Sequence, residues 1–244
     1  MRLPFRPTFW PTVFTVPAIL VMIGLSIWQV QRLHWKEGAI AERTARTTAE
    51  PVPLPPAGTD LASLEFRRVT VTGSFDHVHE FYLAARSQNG NIGYWIVTPL
   101  KTDPNGPSGG DTVLIERGWV PENMKLPATR AAGQVAGTVT LNGFVRLPQV
   151  KTFFQPANEP AKNVWFYLSP AEMAQAAGIP VRTDLYLDAD LAPNPGGFPI
   201  GGQTRINLPN DHLQYAITWA LLALSLAVVY VIFHLKLERE RGHR

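Results

Sequence analysis

The sequence predicts a membrane protein of the α+β class: two transmembrane helices, one near each end, flanking an antiparallel β-rich extracytoplasmic domain with one short helix. Three observations carry that expectation. Residues 7–31 and 212–235 contain no Asp, Glu, Lys or Arg, and about 20 apolar residues at 1.5 Å each span a hydrocarbon layer. Between them, apolar and polar residues alternate in short runs, and the 22 prolines and 19 glycines of the 244-residue chain supply frequent turns. Charged residues make up only 17% of the chain, and the basic ones gather beside the two apolar runs.

The first span is placed at 12–31, after a short N-terminal stretch, 1–11. Pro17 is tolerable there because neighbouring helices can satisfy the carbonyl it frees. The run is longer than the apolar part of a cleaved leader, and no small-residue cleavage site follows it directly, so a retained anchor is expected. Residues 37–46 are polar and can extend the helix, and the Pro51-Val-Pro-Leu-Pro-Pro56 run then ends it as a stiff spacer. Strands are expected at 68–72, 80–83, 94–97, 112–115, 138–141 and 184–187, with turns at 88–90, 103–106 and 108–110. Tight turns between strands favour an antiparallel sheet or open barrel over βαβ units. A short helix is expected at 170–177, with Ser169 as N-cap, Pro170 at its first position and Gly178 as its stop. Residues 192–202 form a Gly/Pro-rich, flexible approach to the second span, 212–235.

Lys236, Arg239, Arg241 and Arg244 follow the second span, against Arg205 alone near its other end. The positive-inside bias puts the basic tail, 236–244, in the cytoplasm, and two spans return residues 1–11, with Arg2 and Arg6, to the same side. Residues 32–211 then lie outside; in a bacterium this is the periplasm, with both spans in the inner membrane. The net charge of +3 belongs to these membrane-flanking clusters and does not make a nucleic-acid surface. The absence of cysteine excludes disulfides, thiolate metal sites and a thiol nucleophile. No G-x-S-x-G, H-E-x-x-H or P-loop is present, so no catalytic constellation supports an enzyme.

Asn210-Asp-His-Leu-Gln-Tyr-Ala-Ile-Thr-Trp219 is the most informative segment. Asp211 and Gln214 fit a variant capping box, so a helix starts here. His212, Tyr215, Ala216, Trp219 and Ala223 then share one face: an imidazole, a small-residue floor and two aromatic walls. That face suits a flat macrocycle whose iron needs an axial histidine, and equally an interfacial histidine within a belt of aromatics. Trp28, Arg32 and Trp35 share a face at the end of the first span. Arg32 can stack between the indoles, snorkel to membrane lipid phosphate, or meet a haem propionate. His34 is a second possible ligand. In Val113-Leu-Ile-Glu-Arg-Gly-Trp-Val-Pro121, Glu116 and Arg117 point to opposite faces of a regular strand, while Arg117 and Trp119 share one. His77 and His79 would place two imidazoles on one strand face, as metal sites sometimes do, but with no third ligand nearby a solvated loop is the favoured reading.

Five motifs in order make a resemblance: Trp28-Gln-x-x-Arg-x-x-Trp-Lys36, Arg67-Arg-Val…Gly73-x-Phe75, Gly93-Tyr…Thr98-Pro-Leu100, Arg117-Gly-Trp-Val-Pro121 and Asn210-x-His-Leu-Gln-Tyr-Ala-x-Thr-Trp219. Over nearly its whole length the chain closely resembles the surfeit locus protein one family, the cytochrome c oxidase assembly factors. The resemblance implies a bacterial member that binds haem A transiently and assists its insertion into oxidase subunit I, with haem A synthase and membrane lipid as further partners. It implies His212 as the iron ligand, and the residues around it (Tyr215, Trp219, Arg32 and Trp28) as the remaining cofactor-binding set. A scaffold that stabilises a subunit I intermediate without binding haem is the alternative. The chain departs from the family pattern at Asp211, where a second Asn is common, and at Trp95, where His is common; the second change removes one candidate polar contact.

The charge asymmetry makes a topology prediction. A reporter active only outside the cytoplasm works when inserted near Gly109 and fails when fused at the C-terminus; the opposite pattern overturns the placement of the β-rich domain.

Overall fold

The computed structural model describes residues 6–61, 63–204 and 208–242; Arg2, Arg205 and Arg244 lie outside these. The described residues contain three α-helices, α1 (Phe9–Thr48), α2 (Pro170–Ala177) and α3 (His212–Gly242). The chain divides into two compact units, one made of residues 1–42 and 207–244, the other of residues 43–206.

In the first unit, α1 and α3 are both long and apolar enough to cross a membrane. α1 passes through Pro17 without interruption and continues beyond the apolar run to Thr48. Residues 39–48 contain no strong breaker, and Pro51 then disfavours helical backbone in the residue before it. α3 likewise runs past Leu235 into the basic tail. Among the described residues, polar contacts join the two helices in antiparallel order. The Thr8 N–H donates to His234 Nε2 at 3.0 Å, Thr12 Oγ1 meets the Tyr230 hydroxyl at 2.6 Å, Ser26 Oγ donates to the Ala216 carbonyl at 2.9 Å, and Gln29 Oε1 lies 2.6 Å from His212 Nδ1. Such contacts contribute roughly 0.6 kcal/mol each between membrane helices, so close packing of small residues must supply the rest. Ala216 and Ala223, both buried, are the small residues of this seam.

The second unit is a closed barrel with additions. Its strands are β1 (Val52–Pro53), β2 (Arg68–Phe75), β3 (Phe81–Gln88), β4 (Asn91–Thr102), β5 (Thr112–Pro121), β6 (Thr138–Arg146), β7 (Val164–Trp165) and β8 (Tyr186–Ala189). β2, β4, β5, β8 and β6 pair in that order, and β6 returns to β2, closing a five-stranded ring. Only the β5–β8 contact of the ring is parallel. This is the connectivity of an OB-type Greek-key barrel, with β3 added as a hairpin on β4 and the short strands β1 and β7 on β2 and β3.

Two cores flank the ring strands. Leu54, Val69, Val71, Leu100, Val113, Ile115, Val145, Leu185 and Leu187 form the first. Phe81, Leu83, Val97, Leu114, Trp165, Leu168, Met173 and Tyr186 form the second, to which α2 contributes Met173. β5 serves both, with Val113 and Ile115 in one and Leu114 in the other, which is why its apolar run shows no alternation. α2 occupies the expected residues. Ser169 accepts from the Glu172 N–H and Gly178 closes the helix at φ +67°; a lost N-cap of this kind costs about 1 kcal/mol.

The structure corrects several expectations. The mainly antiparallel sheet stands as expected, with β1–β2, β3–β7 and β5–β8 as its parallel pairs, and the corrections are local. The proline run is no free spacer: Val52 and Pro53 pair with β2, and Leu54 is buried in the barrel core. His77 and His79 lie on a 3₁₀ turn, not a strand; His77 bonds the Val135 carbonyl and His79 bonds Asp76. Residues 192–202 are pinned, since Ile200 exchanges both backbone hydrogen bonds with Trp119 and the Gly202 N–H donates to Ala189. β5 is irregular where regularity was assumed. A register shift against β4 leaves Arg117 as an extra residue, and its guanidinium lies over Phe75 at 4.6 Å. Gly118 follows at φ +130°, where a Cβ would stand 2.1 Å from the Ile200 carbonyl oxygen.

Glu116 and Asp188 face each other across β5 and β8. Asp188 accepts from Arg146 at 2.8 Å and Thr204 at 2.7 Å. Burial, and then the charge of Asp188, push the Glu116 carboxyl well above the usual carboxylate range. A carboxyl raised in the folded state favours folding most in acid, and this contribution is lost as pH rises from the unfolded value through the folded one. The contribution of Glu116 to stability is therefore expected to weaken as pH climbs above 4.5. Glu116→Gln keeps the shape without the charge, so it should be more stable than wild type at neutral pH and equal to it in acid. Denaturant midpoints across pH check this; a variant that is weaker at every pH overturns it.

Candidate functional site

His212 opens α3, with the Tyr215 N–H donating to the Asp211 carbonyl in the first turn. Its side chain is half-buried. The Gln29 carbonyl oxygen can only accept, so His212 Nδ1 carries the hydrogen and donates to it. Nε2 keeps its lone pair and has no hydrogen-bond partner among the described residues. An imidazole held through one nitrogen and open at the other is the arrangement metal-binding histidines use.

The other residues of the expected face divide. Trp219 is half-buried and Tyr215 exposed, both within two turns of His212. Ala216 and Ala223 are turned into the packing with α1, where Ser26 bonds the Ala216 backbone. The small residues thus serve close approach of the helices and offer no floor beside the imidazole. On α1, the Arg32 guanidinium lies 4.2 Å from the Trp35 ring centroid. Trp28, one turn earlier, is half-exposed, so the arginine rests on one indole. Among the described residues, no hydrogen bond joins Arg32 or Trp28 to His212. His34 is exposed.

The residue missed from sequence is Gln29, almost fully buried in the helix pair. A signal for it existed. A glutamine inside an apolar helix needs a polar partner on a neighbouring helix, and the partners available are few. The described residues contain no group of three or more His, Asp or Glu side chains placed to hold a metal ion.

A model of the SURF1 family matches residues 16–224, which takes in most of α1, the start of α3 and all of the β-rich unit. Surfeit locus protein 1 of Homo sapiens is 41% identical over 226 residues, 86% of this chain and 72% of that protein. The Takifugu rubripes protein of the same name is 38% identical, over 86% and 90% of the two chains. A SURF1-like protein of Monosiga brevicollis is 37% identical, over 97% and 89%. Matches of this extent, running through the barrel and into both helices, show that the chain belongs to the SURF1 family.

Proposed function

We propose that this chain is an assembly factor for cytochrome c oxidase, not an enzyme, that receives haem A at His212 and assists its insertion into subunit I. The observation that carries the reading is the His212 imidazole, with Nδ1 tied to Gln29 and Nε2 open. A neutral imidazole nitrogen supplies one axial ligand to a haem iron. Tyr215 and Trp219 offer aromatic surface beside the ring. Arg32, stacked on Trp35 near the end of the α1 apolar run, is suited to a propionate or to lipid phosphate. The cargo would come from haem A synthase. The basic tail supports residues 32–211 lying on the outer side, the periplasm if the host is a bacterium.

One observation favours the second reading, a scaffold that holds subunit I without touching haem: Ala216 and Ala223 are spent on helix packing. A visible spectrum of the chain purified after co-expression with haem A synthase separates the two.

His212→Ala should insert and accumulate, because alanine is a good helix former, yet lose most of its haem, while His34→Ala keeps it. Gln29→Leu should weaken haem retention on the order of tenfold, as removal of such supporting partners does. Unchanged spectra in both the His212 and Gln29 variants overturn the haem-binding reading. In cells, deletion should lower active oxidase while leaving the haem A pool; loss of that pool would point to the synthase step.

A further inference from the structure

We propose that the β-rich unit contains a binding pocket for a small carboxylic acid with an apolar body, whose carboxylate is received by Arg117. The reading is independent of His212.

A cavity of about 270 Å³ opens between the ends of β2, β5, β6 and the segment after β8. Its walls are largely apolar, from Phe75, Ile115, Val139, Leu141 and Pro193. Arg117 lines it and is 2% exposed. One side of the guanidinium is committed: Nη2 donates to the Gly133 carbonyl at 2.6 Å and to Asn194 Oδ1 at 3.3 Å, and the group lies over the Phe75 ring. Nη1 is buried and has no partner.

Among the described residues, no carboxylate hydrogen-bonds this guanidinium. Glu80, which acts on Arg117 through space, is held by both terminal nitrogens of the buried Arg130. Asp190 also lines the cavity, but its carboxylate accepts from Arg68 at 2.7 Å and from the Ala192 N–H at 3.2 Å. Burial accordingly draws the Arg117 pKa down to about 10. A buried, unpaired cation with an unused donor is expensive, and proteins rarely keep one without a counter-charge.

The cavity selects the anion. One unpartnered guanidinium nitrogen and a charge with no bonded carboxylate suit a monoanionic carboxylate. Apolar walls penalise a phosphate dianion, which would bring a second charge with nothing to meet it. The volume lies just below the range of about 300–1,000 Å³ usual for drug-sized ligands, so the body is a single ring or a short chain. The irregularity of β5 creates the site: the extra residue at Arg117 turns its guanidinium over Phe75 and toward Asn194.

The test uses the full chain in lipid nanodiscs with 4-fluorophenylacetate, followed by fluorine NMR line broadening, with empty nanodiscs subtracted. Saturable binding is expected, and the neutral analogue 4-fluorobenzyl alcohol should not bind. Val139→Phe keeps Arg117 and fills the cavity, and should weaken binding at least about tenfold; Arg117→Met should abolish it. Inorganic phosphate should fail to displace the probe. If Arg117→Met does not fold, Val139→Phe decides. Equal binding of the neutral analogue, full binding by Val139→Phe, displacement by phosphate, or no saturable binding by the wild type each overturn the proposal.

Discussion

A glutamine in an apolar helix cannot be left to lipid, and much of the helix pair follows from how Gln29 is satisfied. Its carbonyl oxygen meets the His212 ring, which sets the register of α1 against α3. Ser26 to Ala216, Thr12 to Tyr230 and Thr8 to His234 then fall at matching steps. Each contact alone is weak, and a slip by one turn would unmake all four together. The polar residues therefore contribute register specificity, while Ala216 and Ala223 are the buried small residues of α3.

The barrel has a comparable constraint at Arg117. The additional residue there breaks the β4–β5 register, and the following Gly118 adopts a backbone that side chains disfavour. The absence of a Cβ at Gly118 admits the Ile200 backbone, which pairs with Trp119 in place of a further strand. The same deviation brings a buried guanidinium beside Phe75 and leaves the chain after β8 covering the barrel end. A regular β5 would place Arg117 and Trp119 on one face, and the stabilising contact of the 200 segment would be lost.

What was legible in the sequence was local. Period-two alternation located β2, β3, β4, β6 and β8 and a continuous apolar run located β5, with some strand ends up to about six residues short, and Ser169, Pro170 and Gly178 bounded α2, because caps and apolar patterning are written into neighbouring residues. Ring closure, the parallel β5–β8 pair and the docking of Val52 and Pro53 onto β2 depend on partners far away in the chain, which no local pattern encodes. The proline run looked like a spacer because prolines cannot donate to a ladder, yet at the edge of a sheet that loss costs little. At the helix pair, spacing alone put His212, Tyr215, Ala216 and Trp219 on one face. It could not say that the alanines of that face would be consumed by a neighbouring helix, nor that a glutamine across the seam would orient the imidazole.

His234 and His212 stand near opposite ends of one seam, and their partners give them opposite capacities. At His234, Nε2 takes the N–H of Thr8, and Nδ1 is bonded to the Tyr230 carbonyl. Both nitrogens are spent and the side chain is fully buried, so it can pin the helices but cannot ligate. At His212 the partner is an acceptor, which draws the hydrogen to Nδ1 and leaves Nε2 its lone pair. Position in the seam does not distinguish the two residues; the character of the group opposite does. A backbone donor at the start of α1 consumes one imidazole, and a side-chain acceptor three turns beyond Pro17 prepares the other. The proposed role of His212 as a haem ligand thus rests on the tautomer that Gln29 imposes more than on its aromatic surroundings.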